Sequence, residues 1–184
     1  MGSIGRFHQD RSPERFIQLA YPVTSYLIIP DENVTGTNTM IDAILIPTDG
    51  SDRAQGAVEY GIDMAKKYGA TVHALYVIET KAHYIYTVAG HDPEEMEEYE
   101  VYGREIVEKV VDAAVTEGLD GVGAVKKGRV AEEIVEYADD NAIDTIVMGA
   151  QGRSGIDKYL IGSTTEKVVR TANVPVTTVR PDGR

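Results

Sequence analysis

Two glycine-bearing stretches carry residue types that can hold a phosphorylated ligand. The first reads Gly149-Ala150-Gln151-Gly152-Arg153-Ser154-Gly155, and nine residues separate Gly152 from Gly162-Ser163-Thr164-Thr165. Glycine tolerates positive φ and lets a ligand approach the backbone closely. A helix opening at Ser163 would present unpaired amides and the positive end of its dipole, which favour an anion. Phosphate suits such a seat, with the Ser163 and Thr164 hydroxyls as further donors and Arg153 as a candidate cation. The same residues also have a reading without a ligand. Ser163-x-x-Glu166 matches a capping box, Gly155 suits a plain turn, and Arg153 suits a solvated loop charge. The stretch is not a Walker A loop, because no Gly-Lys-Ser/Thr stands at the required spacing, and it is not the G-x-G-x-x-G fingerprint.

The second stretch is Pro47-Thr48-Asp49-Gly50-Ser51. It leaves an apolar run with a carboxylate at its tip. Asp49 can accept hydrogen bonds from ribose hydroxyls, or it can cap the following helix together with Ser51. No catalytic set accompanies these groups. Asp49 has no neighbouring histidine or lysine to tune it, and Ser51, Ser154 and Ser163 lack a nucleophile-elbow context. The chain has no cysteine, which excludes disulfides and thiolate chemistry. The four histidines, His8, His73, His83 and His91, never fall at i, i+3 or i+4 from one another, so no metal site is expected.

The elements that must position both loops follow from periodicity. Ile41 to Pro47 is a short isoleucine-rich run suited to a buried strand. Ala54, Ala57, Val58, Gly61, Ile62 and Ala65 then fall on one helical face, and Gly69 sits where a left-handed cap belongs. Thr71 to Ile78 is a second strand. A polar, aromatic loop with Tyr84, Tyr86 and His91 leads to Asp92-Pro93, with Glu95 three residues beyond Asp92, a helix-start signature. Met96, Tyr99, Gly103, Ile106, Val107, Val110 and Ala114 form the buried stripe of that helix, and Gly118 closes it. Gly121 to Val125 is a third strand. Val130, Ala131, Ile134, Val135 and Ala138 mark the next helix, Ala142 to Met148 the fourth strand, Ser163 to Ala172 the last helix and Val174 to Val179 the last strand.

Five strands alternating with four helices predict a single doubly wound α/β domain with a parallel sheet and helices on both faces. Right-handed crossovers leave few strand orders. The order 3-2-1-4-5 puts the switch point between strands one and four, where ligands bind beyond the carboxyl ends. Both glycine-bearing loops then share that edge. Residues 1–39 read as a separate, poorly ordered extension, mixed in composition and without period, and the domain as 40–181. The alternative adds a helix (Pro13 to Leu19) and a strand (Tyr26 to Ile29) to the domain edge.

The bulk properties agree. A chain of 184 residues with 42% hydrophobic content can build one core. It holds no apolar run of about 18 residues for a membrane span and no signal-peptide pattern, so a cytoplasmic address is expected. The net charge of −12 argues against nucleic acid as a partner. It suits a self-repelling soluble surface or adaptation to high salt, two readings that melting in low and high KCl would separate.

At these residues the chain resembles the universal stress protein family. The match runs from Met40 to Arg180 and includes Ile44 to Ser51, Ala74 to Ile78 and Asp144 to Gly149. Its most specific part is the pattern of Gly, two residues, Gly, nine residues, Gly-Ser/Thr, met by Gly149, Gly152, Gly162 and Ser163. In that family this pattern marks ATP binders, so the resemblance implies ATP, with Mg²⁺ carried on its phosphates. It further implies that Asp49 meets the ribose and that Val77 meets adenine through its backbone. Pro47 and Thr48 would line the pocket, and Met148 and Gly149 would border the ribose. Gly152 would lie near ribose and phosphate, and Gly162, Ser163 and Thr164 would hold phosphates. A homodimer through Val174 to Val179 is implied as well, since edge strands invite pairing. The expected function is nucleotide-dependent regulation in a stress response. The alternatives are a slow ATP hydrolase or phosphotransfer enzyme, or a structural dimer whose glycine loop is only a cap.

Overall fold

The computed structural model describes residues 17–18, 26–27, 41–80, 93–150 and 161–180. Five strands, β1 (Ala43–Pro47), β2 (Thr71–Glu79), β3 (Gly121–Gly128), β4 (Thr145–Gly149) and β5 (Val176–Val179), form one parallel sheet. Their spatial order is β3-β2-β1-β4-β5, the order expected from the alternating pattern. The helices are α1 (Asp52–Tyr68), α2 (Pro93–Thr116), α3 (Val130–Asp140) and α4 (Ser163–Thr171).

Alternation along the central strands divides the core between two layers. Ile44 and Ile46 of β1 join Ala57, Val58 and Ile62 of α1 and Ile106, Val107 and Val110 of α2 on one face. Leu45 points the other way, into a cluster with Ile134 and Tyr137 of α3 and Val168 of α4. Each face thus carries two helices, the arrangement that buries a parallel sheet on both sides. Gly69 ends α1 at φ 69, its amide bonded to the Ala65 carbonyl, so the predicted left-handed cap is present.

Several expectations shift by a few residues. Strand β3 continues to Gly128, three residues beyond the expected Val125, and β4 begins at Thr145 because Ala142 takes φ 50 and breaks the run before it. Tyr99, assigned to the buried stripe of α2, is 46% exposed, whereas Tyr137 on α3 is buried. Tyr137 was missed because the periodic reading counted aliphatic positions; its hydroxyl meets His73 Nδ1 at 3.0 Å, which satisfies the phenol inside the core.

The two outer strands differ. Strand β3 exposes Val122, Lys126 and Lys127, whereas all four residues of β5 are buried. The two-residue strands Ile17–Gln18 and Tyr26–Leu27 pair antiparallel with each other, and Tyr26–Leu27 lies beside β5. Ile17–Gln18 is strand, not part of the helix in the alternative reading of the first 39 residues. Asp92, Tyr84, Tyr86 and His91 lie outside the described residues. Among the described residues no helix is long and apolar enough to cross a membrane.

Candidate functional site at the switch point

Strand β1 loses its neighbour β4 before it loses β2. Its ladder with β4 registers only Ile44↔Thr145 and Leu45↔Ile146, while β4 continues to pair with β5 as far as Gly149↔Val179. Beyond Leu45 and Ile146 the central strands therefore part, and a crevice opens at the topological switch point. On the other side β1 pairs with β2 as far as Pro47↔Leu75, and a last rung runs from the Thr48 amide to the Leu75 carbonyl at 2.9 Å.

That last rung settles which way Val77 faces. The Thr71 amide bonds to the Asp42 carbonyl and the Leu75 carbonyl accepts from Thr48, so odd-numbered residues of β2 direct their peptide groups toward β1. Val77 continues that series, but no rung to Thr48 follows among the described residues. Its amide and carbonyl face the space that β1 has left. A flat heterocycle with one donor and one acceptor edge can occupy a place normally taken by a strand. Val77 is half-buried, and its side chain packs toward the α3–α4 face.

The turn after β1 is held by its own side chains. Asp49 Oδ1 accepts from the Ser51 amide at 3.0 Å and from the Ser51 hydroxyl at 2.6 Å, and Thr48 Oγ1 accepts from the Gly50 amide at 3.2 Å. Gly50 takes φ 73, a conformation that favours glycine. Ser51 is the N-cap of α1, but its side chain makes no cap hydrogen bond, because it binds Asp49 instead. The helix-capping alternative for Asp49 and Ser51 is thus replaced by a closed turn. Pro47 and Thr48 are buried at the strand end, and Asp49 is half-buried at the tip.

The start of α4 is built differently. Its N-cap is Gly162, at φ −63 and ψ 149, and no side chain caps the helix. This corrects the capping-box alternative: the first helical bond runs from the Glu166 amide to the Gly162 carbonyl at 2.8 Å, so Ser163 already lies inside the first turn. The Gly162 amide bonds to the Ala150 carbonyl at 2.8 Å, which pins the helix start to the end of β4 one residue earlier than Ser163 would have placed it. Thr165 adds a second pin: its buried hydroxyl donates to the Gly149 carbonyl at 2.9 Å. Sequence reasoning overlooked Thr165. The available signal was its place three residues before buried Val168, on the inner face of α4. Ser163 is exposed and Thr164 half-buried, while Met148 is buried and Gly149 half-buried beside them.

The structure therefore brings Pro47, Thr48, Asp49, Val77, Met148, Gly149, Gly162, Ser163 and Thr164 to one edge of the sheet. Gly152 and Arg153 lie outside the described residues. No cluster of His, Asp or Glu among the described residues could hold a metal ion. A separate open groove of about 700 Å³ lies between α2 and β3 and is lined by none of the residues brought to that edge. Its charged walls pair with one another. Glu100 accepts from Lys127 and more weakly from Arg104, and the Lys127 bond holds the Glu100 carboxyl below the usual carboxylate range. We place the candidate site at the strand ends and not in this groove, because among the described residues the β1–β2 ladder stops at the Thr48–Leu75 rung while Val77 still directs its peptide groups to that side.

The model of the universal stress protein family matches residues 40–180. Universal stress protein MJ0531 of Methanocaldococcus jannaschii is 32% identical over 164 residues, covering 89% of this chain and 93% of its own. The solved structure of MJ0577, a universal stress protein of the same organism, superposes with a TM-score of 0.68 at 28% identity, over 77% of this chain and 96% of that one. A universal stress protein from Archaeoglobus fulgidus, solved in complex with dAMP, shares the fold at a TM-score of 0.58 and 21% identity, over 77% of this chain and all of its own.

Proposed function

The chain belongs to the universal stress protein family, and from that premise we propose that it binds ATP in the crevice between β1 and β4 and acts as a nucleotide-dependent regulatory protein in a stress response. One observation carries this reading: β1 leaves β4 after Leu45 and β2 after Thr48, so that beyond the Thr48–Leu75 rung Val77 directs its peptide groups toward the side where β1 no longer pairs. The A. fulgidus protein, alike in fold, is in complex with dAMP, which makes an adenine nucleotide the ligand to test first.

Each residue then has a part. The Val77 backbone reads adenine, with Pro47 and Thr48 as walls. Asp49, already oriented by Ser51, accepts from the ribose, and Met148 and Gly149 border it. Gly162 removes the side chain that would otherwise fold over the first amides of α4. The amides and hydroxyls of Ser163 and Thr164 receive phosphate, with Gly152 and Arg153 on the same loop. Mg²⁺ travels on the phosphate oxygens, which attract a hard cation. The address is cytoplasmic, residues 1–39 form an extension to the nucleotide-binding domain, and two copies associate through β5.

Calorimetry with Mg·ATP tests the binding, together with identification of any nucleotide released when the purified protein is denatured. Saturable binding is expected, and Asp49→Ala should weaken it about tenfold, the loss of one or two hydrogen bonds to a charged group. Absence of any adenine nucleotide binding would leave the structural-dimer alternative in its place. Light scattering at micromolar concentration checks the association: a mass of one chain would count against pairing through β5.

A further inference from the structure

Two residues that flank the proposed adenosine contacts are joined by a side chain from a third element. Gly50 follows Asp49, and a Cβ placed on it would lie 2.5 Å from Ile106 Cδ1 and 3.3 Å from the Tyr102 hydroxyl, both on α2. The turn after β1 is therefore seated directly on α2. Tyr76 precedes Val77, and its ring meets that of Tyr102 edge to face, with centroids 5.8 Å apart and planes at 80°. The approach is possible because residue 103 is glycine: a Cβ there would come within 2.7 Å of Tyr76 Cδ1. Tyr102 thus brings its hydroxyl end close beside the neighbour of Asp49 and meets the neighbour of Val77 with its ring.

We propose that Tyr102 is a positioning residue of the adenosine half of the site, fixing the turn that carries Asp49 relative to the strand end that carries Val77. The proposal rests on the nucleotide reading above. It follows from geometry. Asp49 lies in the turn beyond β1, and Val77 lies two residues past the last rung between β1 and β2 among the described residues, that of Thr48 and Leu75. Tyr102 supplies a link beyond that rung. A ring edge against a ring face orients as well as fills space. The phosphate half of the site is pinned separately, through Gly149, Ala150, Gly162 and Thr165, and does not depend on α2.

The test exploits that separation. The full chain, Tyr102→Leu and Tyr102→Phe would each be titrated by calorimetry with Mg·ATP and with magnesium inorganic triphosphate. Leucine keeps apolar bulk against Ile106 but lacks the ring and the hydroxyl; phenylalanine restores the ring. The expected result is about a tenfold loss of ATP affinity in Tyr102→Leu, unchanged triphosphate affinity, and recovery of most ATP affinity in Tyr102→Phe. Equal ATP affinity in the wild type and Tyr102→Leu would overturn the positioning role while leaving nucleotide binding intact. A parallel fall for both ligands would also overturn it, since it would report general damage. No ATP binding by the wild-type chain would remove the nucleotide reading and this proposal with it.

Discussion

The turn after β1 uses its side chains on itself, whereas α4 begins at a residue that has no side chain to use. In the first, Asp49 holds Ser51 and Thr48 holds Gly50, and the whole turn rests on α2. In the second, Gly162 is fixed by its own backbone amide, and Thr165 fixes the helix from its inner side. Both devices fix described residues beside the end of a central strand. In the proposed site they contribute different groups: an oriented carboxylate in one case and the amides of a helix start in the other. A nucleoside phosphate, polar at one end and anionic at the other, matches that division.

The comparison can be broken most directly at Gly162. The residue's φ of −63 and ψ of 149 are open to any amino acid, so Gly162→Val should fold. Its branched side chain would stand where phosphate must approach, and ATP affinity is expected to fall about 100-fold, or about 2.7 kcal/mol by titration calorimetry. Unchanged affinity would place the anion seat elsewhere. At the other loop the expected damage is to stability. Gly50→Ala puts a Cβ into a left-handed conformation and against Ile106, a combined cost of about 2 kcal/mol to be read from the urea midpoint. An unmoved midpoint would show that the turn tolerates another conformation.

The smallest effect is a control far from both loops. His73, near the amino end of β2, is held below its ordinary pKa by burial, and burial raises the Tyr137 phenol beside it. A histidine less basic in the fold than in the unfolded chain adds a stability term that is fully present above the unfolded value of about 6.5. That term is lost as pH falls below 6.5, because the unfolded chain then takes up the proton more readily. Urea titrations between pH 8 and pH 5 should show this slope, and His73→Gln should flatten it. The pH dependence of ATP affinity should be the same in both proteins; a change in it would tie His73 to the site.

Much of this organisation was legible along the chain. The five apolar runs and four helical faces fell within a few residues of their places, and short right-handed crossovers led to the strand order. Local signals also found Gly69 and both loops. What stayed hidden has a common physical origin. The choice of Gly162 over Ser163 as N-cap depends on the Ala150 carbonyl, which lies at the end of β4. The role of Asp49 as a turn brace turned on whether the Ser51 hydroxyl donates to Asp49 or accepts from the first amides of α1. The seat of Gly50 on Tyr102 joins residues about fifty positions apart and leaves no local trace. Tyr99 and Tyr102 have the same side chain on one helix and both are exposed, and only packing tells which of them meets Tyr76.

The unequal margins of the sheet bear on how the chain can go wrong. A strand arriving at β3 from another, partly unfolded molecule would meet two exposed ammonium groups, a charged guard against unwanted templating. Strand β5 reads Val-Thr-Thr-Val and carries no charge of its own. Fibrillar misassembly should therefore grow from one side only, and its onset should follow how long that flank stays bare during folding.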